Sequence, residues 1–96
     1  MSYALTLTLA ERKAIDWIGN RYSHGNELYK LLCGCDWLVN EEPENLDLNW
    51  TTNCDITFSM PEHTAWDIQD LLEDSHFECF SGELVGKLLN FMGAIV

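Results

Sequence analysis

Alternation of apolar and polar side chains predicts the strands of this chain. From Ser2 to Thr8, apolar residues alternate with small polar ones, the period-two pattern of a strand with one buried face. Residues 46–50 and 54–60 repeat this pattern on either side of Thr52-Asn53, which predicts a β-hairpin. The sequence therefore predicts a small antiparallel sheet of about three strands.

Apolar side chains at spacings of three and four residues predict helices elsewhere. The predicted helices run from about Leu9 to Tyr22, through Leu28–Leu32, from Ser59 to Ser75, and from Ser81 through Met92. Thr8 with Glu11, and Ser59 with Glu62, have the spacing of capping boxes. We therefore expect a single α+β domain over residues 1–96, with about four helices packed against the sheet.

Two segments between these elements are predicted to be irregular. Gly25 is expected to end the first helix in the left-handed conformation, and Asn26 to cap the next helix. Residues 40–47, N-E-E-P-E-N-L-D, contain a proline and several acids, which disfavour a buried element. We expect this segment to form an exposed acidic loop.

The helix predicted over residues 59–75 has two unlike faces. At 100° per residue, one side is apolar or small and is formed by Thr64, Ala65, Ile68, Leu71 and Leu72. On the other side a tryptophan lies among carboxylates: Glu62, Trp66, Asp70, Glu73 and Asp74, with Asp67 at the edge. No Lys or Arg occurs in this helix. Trp66 is either exposed on the acidic side or covered by residues 35–39 or by the acidic loop.

The net charge of the chain is −11, and the excess of acids is concentrated in one block. Residues 31–86 contain thirteen Asp and Glu and no Lys or Arg. Such a block repels nucleic acids and anionic membranes, and it attracts basic protein surfaces. The alternative interpretation is that the acidity only keeps a small protein soluble.

The acidic helix approaches the charge spacing of a nucleic acid. Its five carboxylates between Glu62 and Asp74 lie along about 20 Å, or roughly one per 4 Å, at 1.5 Å per residue. One strand of a DNA duplex carries a phosphate about every 3.4 Å. The predicted loop and the strand after it could supply a second row of charge: Glu41, Glu42, Glu44, Asp47 and Asp55. We therefore predict that these residues, with Trp66, occupy a Lys/Arg-lined groove that normally binds nucleic acid.

Metal binding and catalysis are less well supported by the residue pattern. The four cysteines form one C-x-C pair, Cys33 and Cys35, and two isolated residues, Cys54 and Cys79. Structural zinc sites use wider knuckles at both ends, so we expect free thiols, with a zinc-held domain as the alternative. Motifs of nucleophilic, phosphate-binding or zinc-dependent enzymes do not occur. We expect a non-enzymatic protein and predict no catalytic, cofactor-binding or metal-binding residue.

The segments A-E-R-K-A-I-D-W-I-G-N-R-Y and F-S-M-P-E-H-T-A-W-D-I-Q-D-L-L-E-D carry a resemblance to small uncharacterised bacteriophage and prophage proteins. The similarity extends over about two-thirds of the chain. It implies a class of short acidic anti-defence proteins, which includes anti-CRISPR and anti-restriction inhibitors, and a location in the cytoplasm of a bacterial host. Many such inhibitors block a nucleic-acid site on a host complex. The resemblance assigns no functional residue.

Two functional hypotheses follow. The first is an inhibitor that binds a basic, nucleic-acid-handling host protein such as a CRISPR effector, by steric and electrostatic occlusion, without a cofactor and without binding nucleic acid or membrane. The second is a regulatory or structural module that forms a homodimer through its last helix. That helix is predicted to have a wide apolar stripe: Leu84, Val85, Leu88, Leu89 and Met92.

Overall fold

The chain folds as an antiparallel sheet with helices packed against one face, which confirms the predicted α+β class. A computed structural model describes residues 2–39, 48–75, 80 and 82–95. The elements in chain order are β1 (Ser2–Leu7), α1 (Leu9–Gly19), α2 (Ser23–Cys33), β2 (Asp36–Leu38), β3 (Ile56–Pro61), α3 (Glu62–Ser75) and α4 (Glu83–Ala94). None of the helices in these described ranges has the length and apolar character needed to cross a lipid bilayer.

The sheet has the strand order β1-β3-β2, and both neighbours of β3 run antiparallel to it. In β1 and β3 the alternation of the sequence is visible in the burial of the side chains. Leu5 pairs with Phe58 and both are buried, whereas the hydroxyl groups of Thr6 and Thr57 meet at 2.8 Å on the outer face. The predicted first strand and its buried face are confirmed.

The predicted hairpin around Thr52-Asn53 is wrong. Residues 48–55 form turns, and the third strand is β2, from a segment too short to assign from its pattern. Trp37 of β2 lies opposite Phe58, with 5.2 Å between the ring centroids. The apolar residue that suggested a strand in 48–50 is Trp50, which is buried against Tyr29 at 4.7 Å. Residues 46 and 47 lie outside the described part.

Of the two predicted capping boxes, the one at the start of α1 is present and the one at the start of α3 is not. The Thr8–Glu11 capping box is present in both directions, and α1 begins at Leu9. The Ser59–Glu62 box is wrong, because Ser59 pairs with strand neighbours on both sides and α3 begins only at Glu62. Because the backbone of Ser59 is paired within the sheet, Ser59 cannot serve as the N-cap of α3. Ser81, the predicted cap of the last helix, lies outside the described residues.

Contrary to the sequence prediction, Gly25 does not end α1 but allows α1 and α2 to pack closely. It lies inside α2, which begins at Ser23. A Cβ atom at position 25 would lie 2.3 Å from the Cγ2 atom of Ile18 and 2.8 Å from its carbonyl carbon. Glycine is therefore needed because α1 and α2 approach each other closely here, and its backbone angle is not left-handed.

Arg12 is fully buried and joins three segments of backbone. Its Nη1 donates to the carbonyl of Leu7 at 2.7 Å, its Nε donates to Trp50 at 3.2 Å, and its Nη2 donates to Thr52. In return, the indole N–H of Trp50 donates to the carbonyl of Arg12 at 2.8 Å. Burial lowers the pKa of the guanidinium, and the nearby Asp55 is among the groups that oppose this. The turn at 48–55 is thereby fixed to the end of β1.

Replacing Arg12 with Met should lower the free energy of unfolding by about 3 kcal/mol or more, because buried carbonyls would lose their donors. Urea denaturation monitored by circular dichroism measures this change. Lys13→Met is the matched control, since Lys13 is the neighbouring base and is exposed, and its effect should stay within about 0.5 kcal/mol. Equal effects of the two substitutions would contradict the bridging function of Arg12.

Glu11 links α1 to α4 through Lys87. Its Oε1 accepts from the Nζ of Lys87 at 2.6 Å and from the backbone N–H of Thr8 at 2.8 Å. Burial alone would raise the pKa of Glu11, but the hydrogen bonds from Lys87 and Thr8 outweigh it and lower the pKa below the ordinary value. The charged carboxylate is therefore the form that the folded protein stabilises.

Glu11→Gln should lower the free energy of unfolding at pH 7 by about 1–2 kcal/mol. Because the pKa is lowered in the folded state, this contribution is complete above the ordinary value of about 4.3 and is lost as the pH falls through the lowered pKa. Urea titrations at a series of pH values should show the two proteins converging in acid. A difference that stays constant with pH would contradict this linkage. Asp16→Asn, at an exposed position of the same helix, serves as the control.

Candidate protein-binding surface

The orientation of α3 follows from its apolar stripe. Ala65, Ile68, Leu71 and Leu72 are buried, and they fix the helix against the sheet and against α2. This stripe matches the predicted one except at its margin, where Thr64 is only half-buried. A helix held along its whole inner side presents the opposite side to solvent in a fixed orientation.

The outward side of α3 carries the predicted carboxylates. We call the following set of exposed residues the acidic face: Trp66, Asp67, Asp70, Glu73 and Asp74. Trp66 is 51% exposed, so it is not covered by residues 35–39. Glu62, the remaining predicted member on this helix, is half-buried and lies at the edge of the face. One helix therefore brings together an aromatic ring and four exposed acids.

Little positive charge compensates this face within the described residues. Two ion pairs occur there: Lys87 with Glu11, and His24 with Asp74, in which Nε2 and Oδ2 lie 3.0 Å apart. Asp67, Asp70 and Glu73 belong to neither pair. Arg12 is committed to backbone carbonyls, so it does not neutralise the carboxylates of α3.

The arginine of the Lys13–Arg21 region is also occupied elsewhere. Its guanidinium lies 4.0 Å from the centroid of the Trp17 ring, and its Nη1 donates to the carbonyl of Trp17 at 3.0 Å. This cation–π contact lies on the surface of α1, and it leaves the acidic face unneutralised.

A groove separates the acidic face from α2. It has a volume of about 320 Å³ and is lined by Glu27, Lys30, Leu31, Asp67 and Leu71. Lys30 is the base on the far wall of this groove, but it forms no ion pair with Asp67 in the described structure. The groove therefore extends the surface with an apolar floor and carboxylates on both sides.

The contact between His24 and Asp74 was not foreseen from the sequence. The two residues are separated by fifty positions, and only the packing of α2 on α3 brings them together. No local pattern around Ser23-His24 signals such a partner. This contact ties the C-terminal end of the acidic face to the neighbouring helix.

The second row of charge predicted from Glu41, Glu42 and Glu44 lies outside the described residues. Asp55, also considered for that row, is exposed just before β3. The position of the loop acids relative to the acidic face therefore stays a prediction.

The cysteines of the described residues do not gather into a site. Cys33, Cys35 and Cys54 are free thiols, and no group of three or more potential metal ligands occurs in the ranges that the structure covers. Burial, followed by the charges of Asp36 and Cys33, raises the pKa of Cys35 to about 11. Cys35 is thus held as a thiol at neutral pH and donates to the carbonyl of Leu31 at 3.2 Å. Cys79 lies outside the described part.

Comparisons with protein-family models, with curated proteins and with solved structures found no match to this chain.

The acidic face should reduce the stability of the fold. Glu73 lies in the last turn of α3, near the negative end of the helix dipole and three residues from Asp70. Glu73→Lys should therefore raise the free energy of unfolding by about 0.5–1 kcal/mol at low salt, measured by urea denaturation. Glu62→Lys, at the N-terminal end of the same helix, should have the opposite sign. A loss of stability in Glu73→Lys would mean that the acids support the fold itself.

Proposed function

We propose that this protein is a non-enzymatic inhibitor that binds a basic, nucleic-acid-handling protein of a bacterial host through the acidic face of α3. A CRISPR effector complex is the first candidate. The observation that carries the proposal is the outward, uncompensated set Asp67, Asp70 and Glu73 beside an exposed Trp66.

The spacing of the charges supports a surface that replaces nucleic acid. Asp67, Asp70 and Glu73 follow one another at intervals of three residues, which corresponds to about 4.5 Å along the helix axis. This is close to the axial spacing of about 3.4 Å between phosphates of one DNA strand. A row of Lys and Arg arranged for phosphates would therefore meet a carboxylate near most of its positions.

Trp66 gives the surface an anchor that a phosphate backbone lacks. A tryptophan that is half exposed on a helix held by its opposite side loses little conformational freedom when it is covered. It can add apolar contact and can stack on an arginine of the partner. The carboxylates would provide steering and register, while the indole ring would slow dissociation.

Inhibition on this basis requires no chemical step. The bound protein would occupy the groove in which the effector holds its nucleic acid, and it would compete with that nucleic acid through volume and charge. The net charge of −11 favours fast encounter with a basic groove and disfavours direct binding to nucleic acid or anionic membranes. No cofactor takes part in this mechanism.

The test is displacement of a fluorescent DNA duplex from purified guide-loaded CRISPR effectors, followed by fluorescence anisotropy at several salt concentrations. Asp70→Lys with Glu73→Lys should weaken inhibition at least tenfold, about 1.4 kcal/mol or more. The matched control is Asp16→Lys with Asp36→Lys, which makes the same change in net charge at exposed positions on α1 and β2. The control should change inhibition less than threefold.

Added salt should weaken inhibition by the wild-type protein, because charge supplies much of the attraction. Trp66→Ala should raise the dissociation rate more than it changes the association rate. Equal losses in the two charge-reversed proteins would contradict a specific acidic face and would leave net charge as the only cause. If the protein displaces DNA from none of the CRISPR effectors tested, the proposed target class is wrong.

A further inference from the structure

Helix α4 has a second apolar side that the fold does not use. Leu84, Leu88 and Phe91 are buried, so only part of the predicted wide stripe faces the core. Leu89 is 51% exposed, and Val85 and Met92 flank it as half-buried residues. The last helix thus divides its apolar residues between the interior and the outside. Substitution of Leu88 would disturb the core, so Leu89 is the residue that probes the outer side.

Two glycines also lie on this outer side, and no contact with the part of the chain that the structure describes explains them. Gly86 and Gly93 are helical residues, and a Cβ atom added at either position would meet no atom within 4 Å. Neither residue has a positive φ angle. A glycine makes a helix less stable than an alanine does, and packing against the described residues does not require glycine at either position. Close approach of a helix from another molecule would account for both.

The outer side of α4 also carries little charge, so a second copy of a chain of charge −11 can approach it without strong local repulsion. From Leu84 to Ile95 the only charged side chain is Lys87, and its ammonium group is bound to Glu11. Two other helices expose a tryptophan, but both surfaces are charged: Trp17 on α1 lies under Arg21, and Trp66 on α3 lies among carboxylates. Two copies would repel each other if either of these surfaces met its own counterpart.

We propose that the outer side of α4, formed by Val85, Gly86, Leu89, Met92 and Gly93, binds the same surface of a second copy of this chain. The positions of the glycines indicate an antiparallel, two-fold arrangement. Gly86 and Gly93 are placed symmetrically about residues 89 and 90, so a two-fold axis at that point sets Gly86 of each copy beside Gly93 of the other. Leu89 of each copy then packs near the axis, where the glycines let the helices come close.

The area available makes this a weak, reversible dimer. A helix of twelve residues is only about 18 Å long, and interfaces of this size belong to the lower range of specific contacts. Association should therefore depend on concentration, with a dissociation constant on the order of 10–100 μM.

The effect of salt separates this dimer from the proposed inhibition. Salt screens the repulsion between two chains of charge −11, so the dimer should become tighter as salt is added. Binding of the acidic face to a basic partner should become weaker under the same conditions. Failure of one proposal is therefore visible independently of the other.

Sedimentation equilibrium of the purified chain from 10 to 500 μM, at 50 mM and 500 mM sodium chloride, tests the dimer. We expect reversible dimerisation that strengthens with salt, and a loss of at least tenfold in association for Leu89→Asp. Leu38→Asp is the matched control, because Leu38 is 53% exposed on β2 and receives the same added charge. A wild-type chain that is monomeric at 500 μM in high salt would overturn the proposal, and so would equal effects of the two substitutions.

Gly86→Ala separates a contact at the glycine from a general effect of hydrophobicity. The added methyl group meets nothing in the monomer, so the thermal midpoint of a dilute sample should rise. The same methyl group should weaken the dimer at least threefold, because it prevents the close approach of the helices. A dimer that Gly86→Ala leaves unchanged would overturn the antiparallel pairing, even if Leu89→Asp is monomeric.

Discussion

The guanidinium of Arg12 is the connection on which the arrangement of the remaining chain depends. It binds backbone carbonyls at the end of β1 and in the turn that precedes β3. The turn is therefore held beside the end of β1, at the point where β3 begins and pairs with β1 and β2. Because α3 continues directly from β3, this contact contributes to the position at which α3 begins, and the apolar stripe of α3 then fixes the direction of the acidic face.

The distribution of bases explains why the acidic face stays uncompensated. Three of the described bases are held away from α3: Arg12 is buried, Lys87 binds Glu11, and Arg21 covers Trp17. Lys30 lines the groove between α2 and α3 but forms no ion pair with Asp67 in the described residues. Acids placed at the C-terminal end of a helix beside other acids are unfavourable for folding. Their presence on a well-anchored helix is understandable if they serve an interaction with another molecule.

Sequence patterns predicted the features that depend on neighbours in the chain. The strand at Ser2–Leu7, the capping box of α1 and the two faces of α3 each follow from residues within one or two turns. The exposure of the acids on α3 was predictable because burying them without partners would be costly. The exposure of Trp66 was left open, since its pattern fits a covered ring equally well.

The incorrect predictions concern features that depend on distant residues. Trp50 gives residues 48–50 the alternation of a strand, but its indole group binds α1 and holds a turn. Ser59 has the spacing of a helix cap, but its pairing with β1 and β2 makes it part of a strand. Gly25 resembles a helix terminator, and only the closeness of Ile18 explains it. Arg12 carries no local signal that it would be buried. In each case a partner from another element determines the structure.

The strand order has a consequence for how the molecule is made. The first strand of the chain pairs with residues 56–61, and the intervening strand joins the opposite edge of β3. Since the ribosome releases the chain from its N-terminal end, β1 must remain without its partner β3 until residues 8–55 and then β3 itself have emerged. Contacts of such long range slow folding, because a large loop must close before they form. The sheet can therefore assemble only when β3 arrives, and α3 leaves the ribosome immediately after it.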